Sequence, residues 1–322
     1  MEKASEPKSV VNVKKRRDLA YYILLLFFPF LQFFIFYVVV NFNSIVLSFE
    51  RFELDGYSFK YVYGGFENYA KVISDIFHDE TMGNMLKNSG IAYLSGLLIT
   101  TPLALFFSYY IMKKFKGSAF FRVILFLPTI ISAVITLFMF KIICDNILPE
   151  LINLIFYGNS PDFVKDPYMY LTRTDTRFTA VIFYSVFIGF GTNVLLYTGS
   201  MSGTDESMIE AAAIDGVTDM QEFLFIIFPC VYPTLTTFLV CGVAGFFTNQ
   251  IFLFPLYGTG AAPDMWTIGY YMYIKSISAT GGAVKEQMYP YLSALGVIFT
   301  LIATPLTLLI KSLLEKIGPS EE

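Results

Sequence analysis

The sequence predicts an all-α integral membrane protein with six transmembrane helices. Three observations carry that prediction. Of 322 residues, 55% are hydrophobic and only 15% are charged, with a mean hydropathy of +0.60, outside the range of an ordinary soluble domain. The apolar residues come in long uninterrupted runs, and a helix needs about 20 of them to cross the hydrocarbon core. Charge sits almost entirely between those runs, so the net charge of −4 says little about partners.

Six charge-free runs follow one another: Leu19–Phe49, Asn88–Met112, Val123–Phe140, Phe178–Thr204, Leu224–Pro263 and Met288–Ile310. The fifth is longer than one span requires, and its helix is expected at Pro233–Tyr257, with the remainder as loop. Pro29, Pro102, Pro128, Pro233 and Pro305 are compatible with spanning helices, where neighbours re-satisfy the freed carbonyls. None of the runs alternates with period 2, which disfavours a β-barrel.

Lys8, Lys14, Lys15, Arg16 and Arg17 precede the first run, which places the N-terminus in the cytoplasm by the positive-inside rule. That run is too long for the apolar region of a cleaved signal, and no A-x-A-like site follows it, so it reads as a retained anchor. Six spans return the C-terminus to the same side. Lys113, Lys114, Lys116 and Arg122 after the second run agree, as do Lys311 and Lys316 after the sixth, while the longer, mainly acidic stretches 50–87 and 145–177 fit the outside. The resulting division is a cytoplasmic basic tail (1–18), a six-helix membrane domain (19–315) with a cytoplasmic loop at 204–229, and a short cytoplasmic tail (316–322). Before the second run, Tyr69, Val72, Ile73 and Ile76 recur at helical spacing and predict an interfacial helix on the outer face.

The runs contain no Asp, Glu, Lys, Arg or His. Proton relays, ion-coupled carriers and voltage sensors need ionisable groups at depth, so those classes are disfavoured. Intramembrane proteolysis is disfavoured too, for lack of paired aspartates, H-E-x-x-H or a Ser–His arrangement. Cys144, Cys230 and Cys241 have neither metal nor redox spacing and read as packing residues; His78, the one histidine, reads as a surface residue. No catalytic or metal-binding set is expected. Uncharged polar groups do occur in the runs: Thr192 and Asn193 in the fourth, Thr248, Asn249 and Gln250 in the fifth, Thr100 and Thr101 in the second. With Tyr197, Phe246, Phe247 and Phe252 nearby, they suit a neutral, hydroxyl-rich solute, since ring faces stack and amides hydrogen-bond. Such residues also commonly join helices to one another in membranes. No phosphate-cradling glycine loop is present, so ATP, if used, is handled by another polypeptide.

The most informative stretch is Glu210–Pro229, a soluble-looking helix–glycine–helix pattern between two apolar runs. Ser207 with Glu210 and Thr218 with Gln221 each have the spacing of a capping box. Gly216 stands where a left-handed C′ residue is expected, and Pro229 either stops the second helix or starts the next. Ala211, Ala212 and Ala213 leave a helix face that another surface can approach closely. Residues 201–229 hold six acidic residues and no lysine or arginine, which suggests a cytosolic partner with a basic groove.

Glu210-Ala211-Ala212, Asp215-Gly216, Phe223, Ile226 and Pro229 stand at the spacing of the EAA loop of binding-protein-dependent ABC importer permeases, with Phe228 where leucine is usual. Phe66-Glu67-Asn68-Tyr69 resembles that family's segment before the second span, and Phe121–Pro128 resembles the F-R-x-x-x-x-L-P that begins the third. Tyr257–Pro263 is similar to the loop after the fifth, with Ala261 and Ala262 replacing glycines. The resemblance covers residues 20–315 and is closest to the carbohydrate branch of the maltose and glycerol-phosphate permease type. It implies the type I ABC importer permease fold and the bacterial cytoplasmic membrane. It also implies a second homologous permease, two ATPase subunits that hold ATP and magnesium, and an extracytoplasmic solute-binding protein. Membrane lipid surrounds such a chain, and nucleic acid has no part. Within this chain it implies that Glu210, Ala211, Ala212, Asp215, Gly216, Phe223 and Pro229 couple ATPase movement to the spans, and that no cofactor is held. The expected function is the translocation subunit for a sugar or oligosaccharide, with a polyol, glycerol phosphate, amino acid or ion as alternative cargo. A scaffold or sensor, or a stand-alone secondary carrier, would need no ATPase-docking helix.

Overall fold

In the computed structural model residues 8–55, 58–156, 158, 169–277 and 282–319 are described. Helix α1 (Lys8–Phe33) runs through a π-helical turn (Phe34–Val39) into α2 (Val40–Ser48). A β-hairpin follows, β1 (Glu50–Asp55) antiparallel to β2 (Ser58–Tyr63), with Glu50 opposite Tyr63. Then come α3 (Glu67–His78), α4 (Glu80–Ser95), a π turn (Gly96–Thr100), α5 (Thr101–Met112), α6 (Ser118–Ile130), α7 (Ala133–Ile142), a π turn (Ile143–Ile147) and α8 (Leu148–Phe156). The chain continues as α9 (Arg177–Met201), α10 (Glu206–Ile214), α11 (Asp219–Glu222), a π turn (Phe223–Ile227), α12 (Phe228–Thr248), α13 (Leu253–Tyr257), α14 (Ile268–Ile277) and α15 (Gly282–Ile317). Of the expected terminal tails, residues 1–7 and 320–322 lie outside the described residues.

Among the described residues, five unbroken helices are long and apolar enough to cross a membrane: Tyr21–Ser48, Glu80–Met112, Arg177–Met201, Asp219–Thr248 and Met288–Ile317. A sixth span is formed if the pair Ser118–Pro128 and Ala133–Phe156, bent by 97°, counts as one. The all-helical membrane fold of the sequence reading therefore holds, with three corrections. The third span is not a single rod over Val123–Phe140. Pro128 cannot donate to the preceding turn and crowds it, and Ile131 and Ser132 then take extended angles. The fifth span lies at Asp219–Thr248, not Pro233–Tyr257. The stretch 50–63, read only as loop, pairs as a hairpin because Arg51-Phe52-Glu53-Leu54-Asp55 and Ser58-Phe59-Lys60-Tyr61 alternate polar and apolar.

Three of the π turns share one cause. Each ends two residues before a proline, Pro102, Pro149 or Pro229, and each closes with an i→i+5 bond: Thr101 N–H to Gly96, Leu148 N–H to Ile143, Phe228 N–H to Phe223. A helical proline clashes with the carbonyl four residues back. Widening the turn before it moves that carbonyl aside and keeps the helix continuous.

Two compact units are distinguished, Met1–Val72 with Gly281–Val297, and Ile73–Thr280 with Ile298–Glu322. In the first, the Phe66–Tyr69 motif ties the hairpin to its helix. Asn68 Nδ2 donates to the carbonyls of Ser48 (3.0 Å) and Glu50 (2.7 Å), Tyr69 hydroxyl meets Ser48 Oγ, and Phe66 packs edge-on against Phe49. The expected helix at 67–78 is present, with Val72 buried and Ile73 half-exposed.

Among the described residues the second unit packs around two cores. One gathers Leu105, Tyr109, Val194, Tyr197, Phe223 and Ile227. The other gathers Val181, Ile251, Leu253, Met265, Tyr270 and Ile274. Close backbone approach locks α9 to its neighbours. A Cβ on Gly191 would stand 2.4 Å from the Leu125 carbonyl oxygen, and Ser108 Oγ donates to the Val194 carbonyl at 3.0 Å.

Candidate functional site

The loop between α9 and α12 is the first candidate site, and its local structure follows from its caps. Asp205, not Ser207, is the N-cap of α10, its carboxylate accepting from Ser207 N–H at 3.0 Å. The expected Ser207–Glu210 box is therefore corrected: an acidic side chain two residues earlier reaches the free N–H groups first. Gly216 has φ +76°, and its N–H donates to Ala213 (3.2 Å) while Val217 N–H donates to Ala212 (3.1 Å). That bond pair is a Schellman motif, and the left-handed residue it needs is cheapest as glycine.

Thr218 forms the predicted capping box with Gln221. The helix it opens is not a separate short one. It is the first turn of the 30-residue rod Asp219–Thr248, and Pro229 neither stops nor starts that rod, since the π turn absorbs it.

Exposure sorts the loop residues into two groups. Glu210, Ala211, Asp215 and Gly216 are exposed, as are Met208 and Ile214. Ala212 and Phe223 are buried, and Pro229 is partly so. Phe223 stacks between Phe106 (5.2 Å) and Tyr109 (5.1 Å). The loop is less acidic than its sequence reads. Glu222 is only 4% exposed, and its Oε2 lies 2.9 Å from Lys113 Nζ, which also stands 3.8 Å from Asp219 Oδ1. Two of the six acids thus face a lysine of this same chain. A carboxylate so deeply buried requires a paired cation. The sequence reading missed the link because Lys113 belongs to a basic cluster already accounted for by topology.

The second candidate is a cavity of about 290 Å³ between α4, α9 and α12. Its polar lining includes Tyr93, Thr100, Ser185, Asn193, Tyr197 and Asn249, with no charged side chain among the described residues. Two glycines make room for it: a Cβ on Gly242 would meet Tyr93 at 3.1 Å, and one on Gly189 would meet Thr100 at 3.7 Å. Of the predicted pathway residues, the fold brings Asn193, Tyr197 and Asn249 together here. Thr192 and Thr248 are exposed elsewhere and bond back to Ile188 and Ala244; Gln250 does not line the cavity. Ser185, absent from the sequence reading, has a buried Oγ with no hydrogen-bond partner. Its signal was present as the four-residue stripe Ser185, Gly189, Asn193, Tyr197, which a helix sets on one face.

Asn249 and Gln250 are not within the fifth span. Asn249 ends α12 in an extended conformation, and its Oδ1 accepts from Ile251 N–H at 2.7 Å. Ile251 and Phe252 then take left-handed angles, φ 44° and 63°. This break is pinned from three sides. Thr267 Oγ1 donates to the Asn249 carbonyl (2.9 Å), Asn88 Nδ2 holds the carbonyls of Asp264 and Trp266, and Ser89 Oγ accepts from Ile268 N–H.

In the loop that follows, Gly258 supplies φ +58°, and Ala261 N–H donates to Tyr270 hydroxyl at 3.3 Å. Burial, then Asp145, pushes the Tyr257 hydroxyl up to about 12, keeping it a neutral donor to the Leu171 carbonyl. Cys144 is buried, whereas Cys230 and Cys241 lie exposed on α12, so only the first packs inside this chain. His78 is exposed, its Nδ1 against the Ser74 carbonyl.

No family model matches the chain. The Probable ABC transporter permease protein YurN of Bacillus subtilis (strain 168) is 26% identical over 287 residues, covering 87% of this chain and 91% of that relative. The multiple sugar-binding transport system permease MsmF of Streptococcus mutans is 23% identical over 271 residues, 83% of this chain and 86% of the relative. The chain is related to the sugar ABC importer permeases. The maltose/maltodextrin permease MalF of Vibrio vulnificus (strain YJ016) is 30% identical over 156 residues, and that match spans 48% of this chain but only 28% of MalF. Likeness to the ABC importer permeases extends to the fold. A bacterial ABC transporter that imports the acidic polysaccharide alginate superposes with a TM-score of 0.72 at 17% identity, covering 96% of this chain and 99% of its own. A bacterial alginate ABC transporter in complex with an alginate pentasaccharide-bound periplasmic protein also superposes, with a TM-score of 0.72 at 17% identity, covering 94% of this chain and 98% of its own.

Proposed function

We propose that this chain is the membrane-spanning subunit of an ATP-driven ABC importer and forms the pathway for a sugar or oligosaccharide. An extracytoplasmic binding protein hands over the solute, a second permease completes the pathway, and two separate ATPase subunits hold ATP and magnesium. The chain is a multi-pass protein, assigned here to the bacterial cytoplasmic membrane with both termini and the 204–229 loop on the cytoplasmic side.

One observation carries the reading. Helix α10 presents Glu210 and Ala211 to solvent, ends in a Schellman turn at Gly216, and leads without a flexible linker into the rod that begins at Asp219. A free helix fused to a span in this way suits a docking element whose displacement must reach the membrane. Glu210 supplies charge to the ATPase cleft, the exposed Ala211 allows close approach while Ala212 lies buried within this chain, Asp215 and Gly216 form the turn, and Phe223 and Pro229 anchor the rod. The uncharged cavity supports a neutral, hydroxylated cargo, with Asn193, Tyr197 and Asn249 as its contacts; an anionic cargo would need cations from another subunit.

Purifying the chain together with its neighbouring subunits tests this. An ATPase is expected to co-purify, and Gly216→Val or Glu210→Lys to weaken that association and solute uptake together. Unchanged association and uptake in both variants, or full uptake without the binding protein, would sink the reading.

A further inference from the structure

Lys113, Tyr109 and Glu222 do work that neither the docking helix nor the cavity accounts for. Lys113 is the residue that closes α5, its N–H bonded to the Tyr109 carbonyl at 3.0 Å, and a cation is favoured at that helix end. One turn back, Tyr109 hydroxyl donates to the Asp219 carbonyl (2.9 Å) and lies 3.2 Å from Glu222 Oε1. Glu222 Oε2 takes the lysine at 2.9 Å. Both carboxylate oxygens are therefore engaged by α5, and the contact is buried on the Glu222 side, with 5% of that side chain and 22% of Lys113 exposed. Immediately after it, Phe223 fills the space between Phe106 and Tyr109, both on α5. The end of the second span and the start of the fifth are thus joined by charge, hydroxyl and ring at one point.

We propose that Lys113, Tyr109 and Glu222 form a positioning clamp that makes the second span move with the 204–229 loop, so that ATP-driven displacement reaches the cavity wall carried by α4 and the Gly96–Thr100 turn. The clamp rests on the function proposed above. Separating its parts strands a buried carboxylate, which is strongly unfavourable, so the two elements travel as one body. Tyr93 and Thr100, which line the cavity, lie on the same continuous helix, Glu80–Met112, as Tyr109. A loop displacement is thereby delivered to two walls of the cavity, through Glu80–Met112 and through Asp219–Thr248, instead of to one.

The test uses the whole transporter, reconstituted with its ATPases and binding protein, and reads ATP hydrolysed against solute imported. Lys113→Met and Glu222→Gln are expected to keep ATPase association while solute moved per ATP falls by at least about fivefold, the lower end of site-to-site coupling. The exchange Lys113→Glu with Glu222→Lys is expected to restore much of it, and Tyr109→Phe, which keeps the ring, to give an intermediate loss. Tyr109→Phe also guards against single charge variants that fail to fold. Unchanged solute per ATP in the folded single variants overturns the clamp. So does a folded exchange variant no better than either parent. Failure of the unaltered chain to bind any ATPase overturns the function itself and the clamp with it, and is seen before any variant is made.

Discussion

Gly269→Ala puts the helix break at Thr248 to a quantitative test. An ideal Cβ at position 269 would lie 2.3 Å from the Thr248 carbonyl oxygen, 2.4 Å from its carbon and 2.8 Å from the Asn249 oxygen. All three are backbone atoms, so no rotamer can relieve the contact. Close carbon–oxygen contacts in proteins sit at about 3.3–3.6 Å, so α14 must withdraw from α12 by about 1 Å. The Thr267 Oγ1–Asn249 bond, now 2.9 Å, would then exceed hydrogen-bonding distance. Its loss costs about 0.5–1.5 kcal/mol, and overpacking adds about 1–3 kcal/mol. The sum is destabilisation of about 1.5–4.5 kcal/mol.

The chain supplies its own probe. Trp266 is the one tryptophan, and its indole N–H is bonded to the Ala261 carbonyl at 2.8 Å within the same loop. Thermal unfolding in detergent, followed by its emission, is expected to show a midpoint several degrees lower and a changed native spectrum. Gly245→Ala on α12 meets nothing within 4 Å and serves as control. A Gly269→Ala protein that matches the control in both readouts refutes the packing argument.

Asn88→Leu removes both donors to the Asp264 and Trp266 carbonyls, bonds of 2.7 and 3.0 Å, and should cost about 1–3 kcal/mol by leaving buried acceptors unpaired; a native Trp266 spectrum with an unshifted unfolding midpoint would contradict it. In the cavity, Asn193→Ala is expected to raise the KM for solute uptake at unchanged protein level. Thr192→Val, one residue away but turned outside it, should leave uptake as it was; equal effects of the two would show that the cavity is not the solute path.

What could be read from the sequence was what local rules determine. The apolar runs fixed the helical class, and Thr218–Gln221 and Gly216 marked a capping box and a left-handed turn that are both present. What could not be read depended on contacts between distant residues. Asn249 looked like part of an apolar run, because nothing nearby announces that Thr267 will take its carbonyl and Gly269 will crowd Thr248. Glu222 looked like one more solvated acid, because its partner lies 109 residues earlier. Pro229 looked like a boundary, because whether the helix runs on through a proline depends on the turn before it, and that is decided by packing. The hairpin was hidden by its shortness, six residues on each strand.

Continuity of Asp219–Thr248 has a mechanical consequence. At 1.5 Å per residue the 30-residue helix is a lever about 45 Å long. Tilting it by about 5° about its loop end carries Asn249 through about 4 Å, enough to reshape a cavity of this size. Bending instead at Pro233 leaves an arm of about 24 Å and halves the travel. The widened turn at Phe223–Ile227 therefore acts as more than an accommodation of Pro229. By holding the rod continuous through Pro229, it keeps the fulcrum at the loop and the mechanical gain high.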